Sequence, residues 1–166
     1  MNSIGSGDTA EPGVQAAEGT EQTARARRMA VLAQAETAAL ISRWQELGLD
    51  PAFEMVRGPE SGLVALRGRI GGGGAPFNFG EATATRATVR LANGNVGHAL
   101  TLGRDTVKAK LAAVIDALAL NEEYEGRIES AVIAPLEAED ASRRKSRREQ
   151  TEATRVDFFT MVRGED

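Results

Sequence analysis

Three arginines, Arg86, Arg90 and Arg104, and a run of four glycines, Gly71, Gly72, Gly73 and Gly74, are the residues here whose types and spacing could do chemistry. A guanidinium offers a planar fork of N–H donors that matches phosphate or phosphonate oxygens in pairs. Consecutive backbone amides in a glycine-rich loop can cradle an anion. The loop fits no nucleotide-binding signature, however. No Gly-Lys-Ser/Thr follows it, and neither Gly71-x-Gly73 nor Gly72-x-Gly74 meets a third glycine three residues on. A flexible connection between hairpins is the plainer reading of the glycines, and solvated or carboxylate-paired side chains the plainer reading of the arginines. The single histidine, His98, needs carboxylates or a partner's ligands to hold a metal, and a structural role on a core face is expected of it. No cysteine is present, which excludes disulfides, thiolate catalysis and cysteine-held zinc or iron–sulfur clusters. Glu81 and Asp105 flank the arginines, but Asp105 is more simply a helix cap.

The elements that position these residues follow from periodicity. Residues 52–57 and 62–69 alternate around Gly58, Pro59, Glu60 and Ser61 and predict a first hairpin. A second hairpin is predicted from strands near Thr83–Leu91 and Val96–Leu102, joined by Asn93-Gly94, a type I′ turn signal. With two central residues in that turn, Leu91 faces Val96, Val89 faces His98 and Ala87 faces Leu100. The core face then carries Thr85, Ala87, Val89, Leu91, Val96, His98, Leu100 and Leu102. Arg86, Thr88 and Arg90 share the other face, opposite Thr101, Ala99 and Gly97.

Helical spacing runs from Met29 through Leu47, as one long helix or two short ones, closed by Gly48 and Pro51. Asp105 caps a helix with a stripe of Val107, Leu111, Val114, Ile115 and Leu118, and another helix carries Tyr124, Ile128, Ala131 and Val132 and is ended by Pro135. Residues 136–154 favour helix but lack an apolar stripe. The strand that follows places Phe158 and Val162 on one face and Phe159 and Met161 on the other, so both sides need cover. These four residues form a candidate partner interface, with completion of the chain's own sheet as the even alternative.

The fold class is therefore α+β: an antiparallel sheet of two hairpins plus a C-terminal strand, packed against helices. Residues 1–23 read as a disordered leader, 24–135 as the globular body and 136–166 as a polar helical arm with its terminal strand. The net charge of -4 argues against a nucleic-acid partner. The basic tract Arg143, Arg144, Lys145, Arg147 and Arg148 leaves a nucleic-acid-binding or adaptor protein as the alternative reading, although acidic residues border it and no aromatic interleaves it. No apolar run is long enough for a bilayer, so a soluble cytoplasmic chain without a membrane partner is expected.

Ordered blocks from about Arg28 to Gly164 resemble a known family. They include Gly62-Leu63-Val64, Arg69-x-Gly71-Gly72-x-Gly74, Thr83-x-Thr85-Arg86-Ala87-x-Val89-Arg90-Leu91, Gly94-x-x-Gly97, Gly103-Arg104-Asp105, Ile115-Asp116-Ala117-Leu118, Ile133-Ala134-Pro135-Leu136 and the run from Arg155 to Gly164. The family is PhnG of the bacterial carbon–phosphorus lyase system. The resemblance implies a subunit of alpha-D-ribose 1-methylphosphonate 5-triphosphate synthase. The subunit so implied acts with PhnI, PhnH and PhnL in displacing adenine of ATP by an alkylphosphonate. It also implies a core complex with PhnH, PhnI and PhnJ, of which PhnI is the closest partner and carries the nucleosidase-like chemistry. The resemblance assigns no catalytic residue and no cofactor to this chain. ATP and alkylphosphonate are implied as substrates of the complex.

Overall fold

The computed structural model describes residues 12–153, so the leader up to residue 11 and the candidate strand with Phe158, Phe159, Met161 and Val162 lie outside the described residues. Two helices open it, α1 (Pro12–Gln34) and α2 (Thr37–Leu47), the second closed by Gly48 at φ 65°. The helix α1 thus starts at Pro12, inside the stretch that composition assigns to a leader. Three strands follow, β1 (Phe53–Arg69), β2 (Pro76–Leu91) and β3 (Val96–Leu102), in one antiparallel sheet of order β1-β2-β3. The described residues close with α3 (Thr106–Leu118), α4 (Glu122–Ile128) and α5 (Ala134–Ala153).

The expected first hairpin is replaced by one long strand. The residues Gly58-Pro59-Glu60-Ser61 do not turn. They lie within β1, where pairing to β2 shifts register between Met55 and Arg57 and between Arg57 and Glu60. Proline cannot donate to a ladder, but β1 is an edge strand, where a proline and bulges are tolerated. The real reversal is at the glycines: Ile70–Gly72 form a 3-10 turn, and Gly71 takes φ 61°. Both Gly73 and Gly74 donate their N–H to Ile70 O. Beyond the reach of β3, which pairs only with Ala84–Arg90, the strands β1 and β2 continue as a two-stranded ribbon.

The second hairpin exists, with its register one residue from the expected one. Leu91 N–H donates to Asn95 O and Gly94 N–H to Leu91 O, both at 2.9 Å, and Gly94 has φ 91°. Three residues therefore span the bend, the odd-length solution in which a turn is followed by a left-handed glycine. Arg90 pairs with Val96, Thr88 with His98 and Arg86 with Leu100. A one-residue slip exchanges the faces of a strand. Accordingly Gly97, Ala99 and Thr101 face the core, while His98, Leu100 (56% exposed) and Leu102 (71% exposed) face outward, opposite to the sequence expectation.

Packing explains why this register wins. Helix α3 crosses β3 so closely that a Cβ on Gly97 would sit 2.0 Å from Ala113 O and 2.5 Å from Ala117 N. The face of α3 toward the sheet is small, with Ala109, Ala112, Ala113 and Ala117 all buried beside Val114, Ile115 and Leu118. Val107, expected in the stripe, is 51% exposed. Leu32, Leu40, Val89, Ile115, Ile128, Val132, Ile133 and Leu136 complete a core between the sheet and the helices.

Pro135 does not end the last helix. A π-turn over Glu129–Ile133 joins α4 to α5, and Pro135 sits one residue inside α5. Proline lacks the N–H that an α-turn would donate to residue 131, and a widened turn is one of the few ways a helix passes such a residue. The polar arm is also held down. Arg27 bonds Glu137 at 2.6 Å and Glu129 at 2.7 Å, Arg43 bonds Glu139 at 2.9 Å, and Arg143 bonds Glu36 at 3.0 Å.

Asp105 caps α3 as expected, its carboxylate accepting from Lys108 N–H at 2.8 Å and from the Thr37 hydroxyl at 2.5 Å. The Lys108 amide first, and the Thr37 hydroxyl next, hold this carboxyl below the usual carboxylate range. Asp105→Ala is expected to cost about 1 kcal/mol, the usual worth of such a cap. Because folding lowers this pKa, its contribution is complete above the unfolded value near 4 and fades as pH falls through the lower folded value. Urea midpoints of wild type and Asp105→Asn measured from neutral pH down to about pH 3 should therefore converge in acid. Gly97→Ala should cost about 3 kcal/mol, since the obstructing atoms are backbone. Gly58→Ala, with nothing within 4 Å of its Cβ, serves as the control in the same denaturation series.

Candidate functional site

The register of the sheet arranges the outward face in rows across the strands. Glu54 pairs with Arg90 and Arg90 with Val96; Arg57 pairs with Thr88 and Thr88 with His98; Glu60 pairs with Arg86 and Arg86 with Leu100. Partners in such a ladder point to the same side. The two arginines singled out by sequence therefore share this face, about 13 Å apart along one strand. Each is paired: Arg86 Nε donates to Glu60 Oε1 at 2.6 Å, and Arg90 Nη1 to Glu54 Oε1 at 2.9 Å. Arg57 donates to the same Glu60 oxygen. Arg86 and then Arg57 hold the Glu60 carboxyl below its usual range. All of these groups are exposed, so the pairs are weak.

The other candidates are placed elsewhere. The glycine turn lies at the ribbon tip, about 30 Å along β1 from Glu60 and hence from Arg86. Its Gly73 and Gly74 amides already bond Ile70 O, so they do not form an anion cradle. Arg104 is exposed just before the Asp105 cap, past the end of β3. No one small ligand reaches all of them.

Two features escaped the sequence reading. One is a cleft of about 520 Å³ in the outward face, lined by Arg57, Glu60, Arg86, Thr88 and His98 together with Val64 and Leu100. His98 is there because of the odd loop length, and its Nδ1 lies 3.2 Å from Thr88 Oγ1. The other is Asp116, wholly buried on α3. It receives Arg25 Nη2 at 2.7 Å and Nε at 3.1 Å, and the His98 backbone N–H at 2.9 Å, while Arg25 also donates to Val96 O at 3.2 Å. One N–H of edge strand β3, that of His98, and one C=O, that of Val96, are thereby satisfied by an ion pair.

Among the described residues no group of three or more His, Asp or Glu side chains could hold a metal, and no helix is long and apolar enough to cross a membrane. In the basic tract, Arg143 and Arg144 both pair with Asp140, at 3.0 and 2.6 Å.

Among the described residues, a helical layer on one side of the sheet, an exposed arginine-bearing face on the other and a two-stranded ribbon define an α+β protein. The family described as phosphonate metabolism protein PhnG matches residues 23–164. A relative from Rhizobium meliloti (strain 1021), named alpha-D-ribose 1-methylphosphonate 5-triphosphate synthase subunit PhnG, is 52% identical over 145 residues. The match spans 86% of this chain and 90% of that one. The chain belongs to the PhnG family of phosphonate metabolism proteins.

Removing Asp116 would leave the Arg25 charge and the His98 N–H without their partner. Asp116→Ala should cost about 3–5 kcal/mol, measured by thermal or chemical denaturation. A loss below about 1 kcal/mol would mean that the pair behaves as a surface ion pair.

Proposed function

We propose that this chain is a subunit of a synthase that makes alpha-D-ribose 1-methylphosphonate 5-triphosphate, as the name of its Rhizobium meliloti relative describes. In this reading it works in the cytoplasm with PhnI, PhnH and PhnL, within a core that also holds PhnJ, and PhnI is its closest partner. ATP and an alkylphosphonate are the substrates. A phosphonate oxygen attacks the anomeric carbon, the bond to adenine breaks, and adenine leaves. Such a displacement needs a held triphosphate, an oriented oxyanion and stabilisation of oxocarbenium-like charge. The role proposed for this chain is to shape that site from the side, with Arg86 and Arg90 as substrate contacts, rather than to catalyse alone.

The observation that carries the subunit reading is the ribbon. A two-stranded ribbon is marginal in water by itself. This one leaves Leu63 67%, Ile70 75%, Phe77 43% and Phe79 60% exposed. The Phe77 and Phe79 rings lie 6.3 Å apart, and Phe79 rests over Gly68. Apolar surface of this kind marks a protein interface. The glycine turn at its tip would then serve partner contact, allowing the closest approach of backbone.

Co-expression with and without PhnI tests this. The chain is expected to aggregate alone and to be soluble with PhnI, and Phe77→Ser with Phe79→Ser should abolish co-purification. A monodisperse, stable chain with no affinity for PhnI would sink the proposal. For the active-site role, the Arg86→Ala, Arg90→Ala double variant should assemble normally but lose about tenfold or more in kcat/KM of the complex, as loss of charge-assisted contacts implies. Unchanged kinetics in an assembled complex would remove these arginines from the site.

A further inference from the structure

The cleft in the outward sheet face has a chemistry of its own. Its central row is Arg57, Thr88 and His98, one residue from each strand in direct register. Adjacent strands lie about 4.8 Å apart, so Arg57 and His98 rise about 10 Å from one another on either side of the short Thr88 side chain. Arg86 stands in the next row of the same face, and Glu60, the shared partner of both arginines, is the one carboxylate among the lining residues. Two guanidinium groups against one carboxylate leave a positive excess before the imidazole is counted. The Thr88 hydroxyl engages His98 Nδ1, which fixes the ring and leaves Nε2 unoccupied by any hydrogen bond among the described residues. Around the gap above Thr88 the donors are thus two planar forks and one further hydrogen from the Thr88–His98 pair, the ring Nε2–H when the hydroxyl donates to Nδ1 or the hydroxyl itself when Nδ1–H donates to it, and the floor is closed by Ala87 and Ala99. Guanidinium forks of this kind suit tetrahedral oxyanions, whose oxygens accept several directed N–H bonds at once.

We infer that this cleft binds a tetrahedral phosphorus oxyanion through Arg57, Arg86, Thr88 and His98, with Glu60 as the placeholder that the anion displaces. This deepens the proposed function and rests on it for the ligand class. It adds Arg57, Thr88 and His98 to Arg86 as contacts of the phosphorus group, while Arg90, one row from the centre and paired with Glu54, lies beyond the cleft and is left for another part of the substrate. The shared chemistry comes from two sources, a phosphonate or a phosphate chain. A partner seated on the ribbon, whose Leu63 and Val64 edge the cleft, would roof it and exclude water.

His98 is the only histidine, so its ring protons are a unique reporter in the nuclear magnetic resonance spectrum of the full, tag-free chain. Where the chain is obtained only with a partner, labelling histidine in this chain alone keeps the signal unique. Methylphosphonate and inorganic tripolyphosphate are added in separate titrations at constant pH and ionic strength, with acetate as the control. A saturable shift of the His98 signal with either phosphorus anion is expected, and the tighter of the two identifies the source. Arg57→Ala and Arg86→Ala should each weaken the apparent affinity about tenfold, in keeping with loss of a charge-assisted fork, whereas Lys145→Ala should not change it. Thr88→Val should loosen the ring and weaken binding without removing a charge. No saturable shift, an equal response to acetate, or affinity unchanged in Arg57→Ala and Arg86→Ala would overturn the inference. The readout is binding to this chain's own residue, so it stands or falls separately from co-purification with PhnI and from turnover of the complex.

Discussion

A buried carboxylate at the seam between helix and sheet sets the terms for the rest of the fold. Asp116 on α3 accepts from the main chain of β3 and from Arg25 of α1, and Arg25 reaches on to the carbonyl of Val96. The three elements are thereby tied at one point. At Val96 and His98 a side-chain pair supplies what a neighbouring strand would, and among the described residues β3 is an edge of the sheet. A buried charge without such partners would be costly, so losing any one of these contacts penalises the fold more than forming the pair favours it. The close approach of α3 that brings Asp116 to the strand is possible only because Gly97 has no side chain. The register of the hairpin, the alanine face of α3 and the position of Asp116 are consequences of a single packing solution.

Much of this was legible in the sequence, and the failures have physical causes. The class, the Asn93-Gly94 hairpin and the Asp105 cap rest on local signals, and local signals survived, whereas periodicity left open whether the first helical stretch is one helix or two, and the structure has two. The faces of β3 did not, because Ala92-Asn93-Gly94 supports both a two-residue and a three-residue bend. Alternation of Val96, His98, Leu100 and Leu102 favoured the wrong one. Gly97 was the available clue: a glycine amid alternating residues marks a close approach of backbone. Residues 58–61 carry every local mark of a turn, yet pairing with the long β2 overrides them. Pro135 misled in the same way, because a π-turn admits what an α-helix refuses.

The outward face follows from these same constraints. Moving β3 by one residue brings His98 out of the core and beside Thr88, and the bulges in β1 bring Arg57 and Glu60 alongside Arg86. The arginine pair visible in the sequence is thus part of a larger polar surface whose other members were hidden by the register. The apolar ribbon and the polar cleft meet at Gly62, Leu63 and Val64, so whatever covers one borders the other.

The opposite margin of the sheet has the inverse design. Among the described residues the β1 edge is unpaired over a long stretch, the kind of template along which identical chains can stack into aggregates. Pro59 removes one donor from it and the adjoining bulges throw the remaining groups out of line, interrupting any continuous ladder near its middle. A foreign strand would find two short docking stretches instead of one long one. The irregularity that disguised itself as a turn thus guards this edge against strand-on-strand stacking, so that the apolar ribbon, and not the β1 backbone, is the surface through which the lone chain associates.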